Sequence, residues 1–270
     1  MKNFVSLLSV ILIGIMFGCN SVNTSTEPLK DRNVAFDAGW KFIRDSIPGA
    51  EIPSFNDSGW RTIDLPHDWS IENIDDSVKA EHIGPFTRRS EGGISTGHVK
   101  GGTGWYRKHF TVDASYKSKQ VTLCFDGVYM IANVWVNGKK AGAHFYGYTP
   151  FSFNITSLLK TGSENVIAVE VMNPGKNSRW YSGSGIYRHV WLTVTNPLHI
   201  DENGVFITTS LPSKDTANVH LAISVKNNSP SASDAKLVTT ISDNDGKVIG
   251  TTEHEMKVEA NGSSTVEQSL

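Results

Sequence analysis

The 270 residues carry 25 Lys and Arg against 27 Asp and Glu, a net charge of -2, with 39% hydrophobic and 19% charged side chains, which suits a soluble globular body of one or two domains. Scattered basic residues and a slightly negative total exclude a general attraction to phosphate backbones, so nucleic acid is not an expected partner. Two cysteines, Cys19 and Cys124, exclude a disulfide scaffold, and without a zincin-type His pair or other ligand spacing no metal or cofactor is expected.

Lys2 is followed by an uncharged run from Phe4 to Phe17, long for a secretory signal and short of the roughly 20 apolar residues of a membrane span. Residues 1–18 are therefore read as a signal peptide. Phe17, Gly18 and Cys19 resemble the bacterial lipoprotein signal, with Met16 in place of the more usual Leu. That resemblance implies a lipid on Cys19, a membrane anchor and an exported location, periplasmic or at the cell surface. An ordinary signal peptide with a chance cysteine is the alternative. Residues 19–33, polar and without a period, suit a tether.

The body begins near Val34. Short elements follow around Trp40, Trp60 and Trp69, separated by turn residues. His67 and Asp68 are neighbours on an extended stretch and would point to opposite faces, which favours structural hydrogen bonding over a catalytic pair. A long glycine-rich region without a period runs from Ile74 to Gly102; loops of this length are often functional.

Strand patterns then cover Trp105–Phe110, Val121–Val128, Ala132–Val136 and Val166–Met172, and Asn137 with Gly138 signals a tight hairpin. Ile155 to Leu159 suggests one helical turn. Cys124 sits between Leu123 and Phe125 and reads as a small buried hydrophobe. At Ser178–Leu192, Arg179, Trp180 and Tyr181 precede Ser182, Gly183, Ser184 and Gly185. From Ile186 a half-buried strand is predicted, with Ile186, Val190, Leu192 and Val194 on one face. Arg188 would share that face, which favours a buried ion pair over the alternative of a ligand contact.

The small residues allow a tight turn that holds an Arg, a Trp and a Tyr at a sheet rim, a set suited to a flat polar ligand such as a sugar. Capping of the core by Trp180 and Tyr181 is the competing reading. Ser182–Gly185 lacks the first glycine of a nucleophile elbow, and Gly101–Gly104 does not fit a phosphate loop.

After Pro197 the aromatics thin out, and strand patterns recur at Gly204–Thr209, Ala217–Lys226, Ala235–Ser242 and Lys247–Met256. Their spacing matches an immunoglobulin-like sandwich over residues 198–270. Five or six strands against the usual seven or so lead to the expectation that this domain is incomplete. The fold class is all-β: a sandwich over 34–197, then the partial immunoglobulin-like one.

Four blocks, Trp105–Phe110, Asp126–Val136 with Asn137 and Gly138, Gly147–Asn154, and Arg179–Leu192, resemble in their order the amino-terminal sugar-binding domain of family 2 glycoside hydrolases. The spelling is closest to bacterial β-galactosidases, with glucuronidases and mannosidases as alternatives. The resemblance implies a jelly-roll, galactose-binding-like sandwich over 34–197 and a catalytic (β/α)8 barrel further along a longer chain. That barrel would hold the two carboxyl groups, about 5–5.5 Å apart, that retaining hydrolysis requires. It implies no catalytic residue among these 270.

It also implies a carbohydrate partner, a terminal β-linked sugar with galactose first, met by Arg179, Trp180 and Tyr181. Some galactosidases place an Asn where this chain has Gly101 and Gly102. A non-catalytic glycan-binding lipoprotein and a ligand-free spacer are the other readings.

Overall fold

A computed structural model describes residues 32–72, 82–83, 86–175 and 182–270. Cys19, the Phe4–Phe17 run and the Arg179–Tyr181 triplet lie outside them. The described elements are strands and short 3-10 turns, with no α-helix among them. In chain order the strands are β1 (Asn33–Ala35), β2 (Trp40–Ile43), β3 (Arg61–Ile63), β4 (His82–Ile83), β5 (Phe86–Thr87) and β6 (Gly102–Thr111). Next come β7 (Gln120–Phe125), β8 (Ile131–Val136), β9 (Lys139–His144), β10 (Phe151–Asn154), β11 (Glu164–Asn173) and β12 (Val190–Thr195). The last five are β13 (Leu198–Ser210), β14 (Asn218–Asn227), β15 (Ser233–Ser242), β16 (Val248–Val258) and β17 (Gly262–Ser269).

The jelly roll stacks a four-stranded sheet, β1-β12-β7-β10, on a six-stranded sheet, β3-β2-β6-β11-β8-β9. Alternation builds its core. Val121, Leu123 and Phe125 of β7 and Val190, Leu192 and Val194 of β12 face inward, as do Ala132, Val134 and Val136 of β8 and Ile167, Val169 and Val171 of β11. Each such aliphatic side chain larger than alanine contributes about 1.5–3 kcal/mol on burial. Asn137 (φ 52°) and Gly138 (φ 78°) form the β8–β9 turn as read from the sequence. The Asn137 amide then locks that turn to its neighbours, donating to the Leu158 carbonyl and to Asn165 Oδ1, both at 2.8 Å.

Strands β6 and β11 lie in the middle of the wider sheet and are buried on both faces, so each carries a near-continuous buried run instead of an alternating one. On the outer face, segment 44–60 covers them through a small core of Ala50, Trp60, Trp105 and Ala168. Arg107 is fully buried within this layer. Its Nε donates to Asp57 Oδ2 at 2.7 Å, Nη1 to the carbonyls of Ala50 and Ile52, and Nη2 to the Pro53 carbonyl. His109 Nε2 meets the same Asp57 oxygen at 2.8 Å. Burial by itself would raise the Asp57 carboxyl, but the hydrogen bonds from His109 and Arg107 outweigh it and hold it below its ordinary value.

Beyond Pro197, β13-β14-β17 and β15-β16 form two sheets in an immunoglobulin-like arrangement around Leu221, Ile223, Val225, Leu237, Val258 and Val266. Strand β17 has no counterpart in the sequence reading, because Val266 is its only aliphatic residue. The register of β13 shifts between Ile200 and Val205, lifting residues 201–204 out of the ladder.

Three expectations are corrected. The strand after the glycine turn starts at Val190, not Ile186, and Arg188 is exposed, so it makes no buried ion pair. The cause is a crossing: Tyr187 lies over Gly127, where even a Cβ would come within 2.8 Å of the phenol ring, and its hydroxyl donates to the Gly147 carbonyl. Cys124 is a half-buried residue on the outer face of β7, not part of the core. Burial pushes its thiol up to about 11, which leaves it protonated and weakly nucleophilic.

Replacing Asp57 with Ala would leave the Arg107 guanidinium buried without its counter-ion, a loss of about 3–5 kcal/mol. Urea unfolding at pH 7 measures it, and a loss within 1 kcal/mol would contradict the clamp. Because the Asp57 carboxyl is depressed, its stabilisation is complete above the ordinary value of 3.8 and fades as pH falls through the lower folded-state value.

Candidate functional site

The structure describes both flanks of the Arg179–Tyr181 triplet, which are Gly175 on one side and Ser182 on the other. A frame of short-range hydrogen bonds holds these flanks. Asp68 caps the 3-10 turn Trp69–Ile71, its Oδ1 accepting from Ser70 N at 2.9 Å and Ser70 Oγ at 2.6 Å. The same oxygen accepts from Ser184 N at 2.8 Å. Ser184 Oγ donates to the Lys100 carbonyl at 3.0 Å and accepts from Asn173 Nδ2 at 2.8 Å. Asn173, the last residue of β11, accepts in turn from Gly175 N at 3.2 Å. One carboxylate and one carboxamide thus tie both ends of the triplet segment to β11 and to residues 67–71.

The backbone adds a short ladder, with His67 N donating to the Ile186 carbonyl and Trp69 N to the Ser184 carbonyl. Glycines are required where these segments touch. A Cβ on Gly183 would sit 2.3 Å from Asp68 Oδ2, and one on Gly185 would sit 2.4 Å from the Tyr106 hydroxyl. Gly185 also adopts φ 132°, which L side chains rarely take. The Gly183-Ser184-Gly185 spelling follows from these contacts.

His67 links the rim to the core. Burial lowers its imidazole below the ordinary value, against the opposing pull of the Glu72 hydrogen bond, so the ring is neutral at pH 7. Its Nε2–H then donates to Glu72 Oε1 at 2.6 Å, and its Nδ1 accepts from the buried Tyr106 hydroxyl at 2.7 Å. Tyr106 also accepts from Ile186 N. Burial would raise Glu72, but hydrogen bonds from His67 and Arg61 hold it low. His67 and Asp68 are structural hydrogen-bonding residues, as expected.

The Gly101–Gly104 stretch, where some galactosidases place an Asn, is a packing element here. The Gly101 carbonyl accepts from Trp69 Nε1 at 2.9 Å and from Arg44 Nε at 3.1 Å, and its N–H donates to Glu91 Oε2 at 2.9 Å. A Cβ at position 101 would meet the Asn173 carbonyl at 2.6 Å, so this chain has no room there for a side chain directed at a ligand. On the same rim Tyr129 bridges Gly185 and packs against Gly147, with Tyr146 and Tyr148 exposed beside it.

Sequence reasoning missed Asn173, Ser184 and Glu91 as frame residues, since their partners are distant in the chain. It missed the exposed tyrosines because aromatic residues read first as core.

The fold defines a class of protein, a two-sheet jelly-roll β-sandwich domain. A family model described as "Glycosyl hydrolases family 2, sugar binding domain" matches residues 35–197. The chain belongs to glycoside hydrolase family 2. It is 39% identical over 227 residues to the β-galactosidase BoGH2A of Bacteroides ovatus, covering 83% of this chain and 25% of that protein. A putative β-glucuronidase of Formosa agariphila is 33% identical over 82% of this chain and 20% of its own length. A solved family 2 member from Bacteroides cellulosilyticus superposes with a TM-score of 0.82 at 42% identity, over 88% of this chain and 30% of that one. The chain thus spans about a quarter of the length of the curated relatives it matches.

Asp68→Ala removes an acceptor shared by two backbone donors and should cost about 1–3 kcal/mol, with faster amide exchange at Ser184. Thermal unfolding with hydrogen exchange measures both. Unchanged exchange at Ser184 would show that the rim is held by other contacts.

Proposed function

We propose that this chain is the amino-terminal, non-catalytic part of an exported β-galactosidase of family 2. In this reading residues 1–18 are a signal, Cys19 carries lipid, 19–33 are a tether, 34–197 bind sugar, and 198–270 belong to the immunoglobulin-like domain. Retaining hydrolysis needs an acid/base and a nucleophilic carboxyl group, and a barrel following this segment supplies both. The immunoglobulin-like sandwich, with five strands among the described residues, gains its remaining strands from the same longer chain.

The observation that carries the galactosidase reading is the higher identity to the Bacteroides ovatus β-galactosidase than to the Formosa glucuronidases. Several solved neighbours are glucuronidases, which makes glucuronidase action the competing reading. The anchored glycine rim supports a role for the segment it frames. Arg179 forks onto sugar hydroxyls, and Trp180 and Tyr181 stack against the ring of a terminal galactose.

The 270-residue chain by itself should release no nitrophenol from aryl β-galactosides. The longer protein encoded with it should favour aryl β-galactosides over β-glucuronides by at least about tenfold in kcat/KM, about 1.4 kcal/mol of transition-state discrimination. Preference for the glucuronide would overturn the substrate. Turnover by the short chain, abolished by changing one of its own Asp or Glu residues, would overturn the missing-barrel reading.

For the anchor, metabolic labelling with an alkyne fatty acid in a bacterial host should mark the chain and fail in Cys19→Ala. Equal labelling of that variant would refute lipidation at Cys19.

A further inference from the structure

The outer face of the four-stranded sheet carries two adjoining clefts, of about 490 and 450 Å³, that share Asp126 as a wall. Each falls within the roughly 300–1,000 Å³ of small-molecule sites. The larger lies between β7 and β12 on one side and the lifted residues 201–204 of β13 on the other. Trp191 of β12 presents its indole there, oriented by a 2.9 Å hydrogen bond from Nε1 to Asp126 Oδ2.

The polar groups around that ring are only partly used. Arg32 makes no ion pair among the described residues. Asn33 spends Oδ1 on Thr193 Oγ1 at 2.8 Å, leaving its amide donors. Asp126 Oδ1 has no protein donor among the described residues, and Glu202 Oε2 accepts from Ser152 at 2.7 Å. An aromatic plane edged by both donors and acceptors matches a pyranose, which offers an apolar C–H face and a ring of hydroxyls.

The smaller cleft adjoins at Asp126 and is lined also by Pro66, Pro150, Tyr187, His189 and the exposed Arg188. Arg188 lies over the Tyr187 ring at 6.0 Å. Two sites joined at one carboxylate suit consecutive units of a single chain. In the larger cleft Asp126, Asp201 and Glu202 outnumber Arg32, which disfavours a carboxylated sugar. We infer that this strip, from Trp191 across Asp126 to Arg188, binds a neutral oligosaccharide on the sheet face. The described lining shares no residue with the Arg179–Tyr181 segment, and the inference does not rest on the galactosidase reading.

The test titrates the full chain with β-1,4-galactotetraose, and separately with tetragalacturonate, by calorimetry and by the tryptophan indole N–H signals in NMR. The neutral tetrasaccharide should shift the Trp191 indole saturably. Trp191→Ala should weaken binding at least about tenfold, the loss of roughly one good aromatic contact. Arg32→Ala and Arg188→Ala, at the edges of the strip, should each weaken it measurably and decide the matter if Trp191→Ala does not fold.

No saturable shift at Trp191 would overturn the inference, as would tetragalacturonate binding as tightly as the neutral sugar. Binding that survives Trp191→Ala but is lost in Trp180→Ala would assign the sugar to the other segment and overturn it equally.

Discussion

Two adjacent side chains of β6, Tyr106 and Arg107, have no solvent exposure and point to opposite faces of the six-stranded sheet. A guanidinium that cannot shed its proton must find counter-charge and carbonyls wherever it is buried. Arg107 therefore dictates that segment 44–60 fold over the outer face and bring Asp57 with three backbone oxygens to it. That cover converts a sheet face that would otherwise be solvated into a second small core around Trp105 and Trp60.

On the opposite face Tyr106 imposes the matching demand for one hydroxyl. A hydrogen-bonded line runs from Ile186 N through Tyr106 and His67 to Glu72, and ends at Arg61 near the surface. Each buried polar atom on this line has a partner, so the 67–71 and 182–186 segments are placed by the core and not by their own loop preferences. Gly175 and Ser182, the described residues on either side of the segment proposed to meet the terminal sugar, belong to this framed rim.

The opposite end of the architecture shows how a bulge can shape a surface. Where β13 leaves its ladder between Ile200 and Val205, residues 201–204 stand against the outer face of β7 and β12. Cys124, Trp191 and Thr193 there line a cleft in place of a flat sheet. The high thiol value of Cys124 keeps that wall chemically quiet.

Strand identity in β7, β8, β12 and β14 was legible from alternation alone, because each buries one face and the period of two survives in the sequence. The Asn137-Gly138 turn was legible because both positions need positive φ. The four ordered blocks sufficed to identify the family. Other features were decided only by contacts between residues distant in the chain. Strand β17 carries too few apolar residues to announce itself and exists because β14 offers it an edge. Arg188 follows an apolar alternation on paper, yet Tyr187 crossing Gly127 turns it to solvent. Gly101 and Gly183 look like flexible loop glycines, and their true constraint is the Asn173 carbonyl and the Asp68 carboxylate pressed against them. Periodicity and turn chemistry are local and can be read from neighbours in sequence, whereas burial of a charge or the exclusion of a Cβ depends on which remote segment tertiary packing brings within 3 Å.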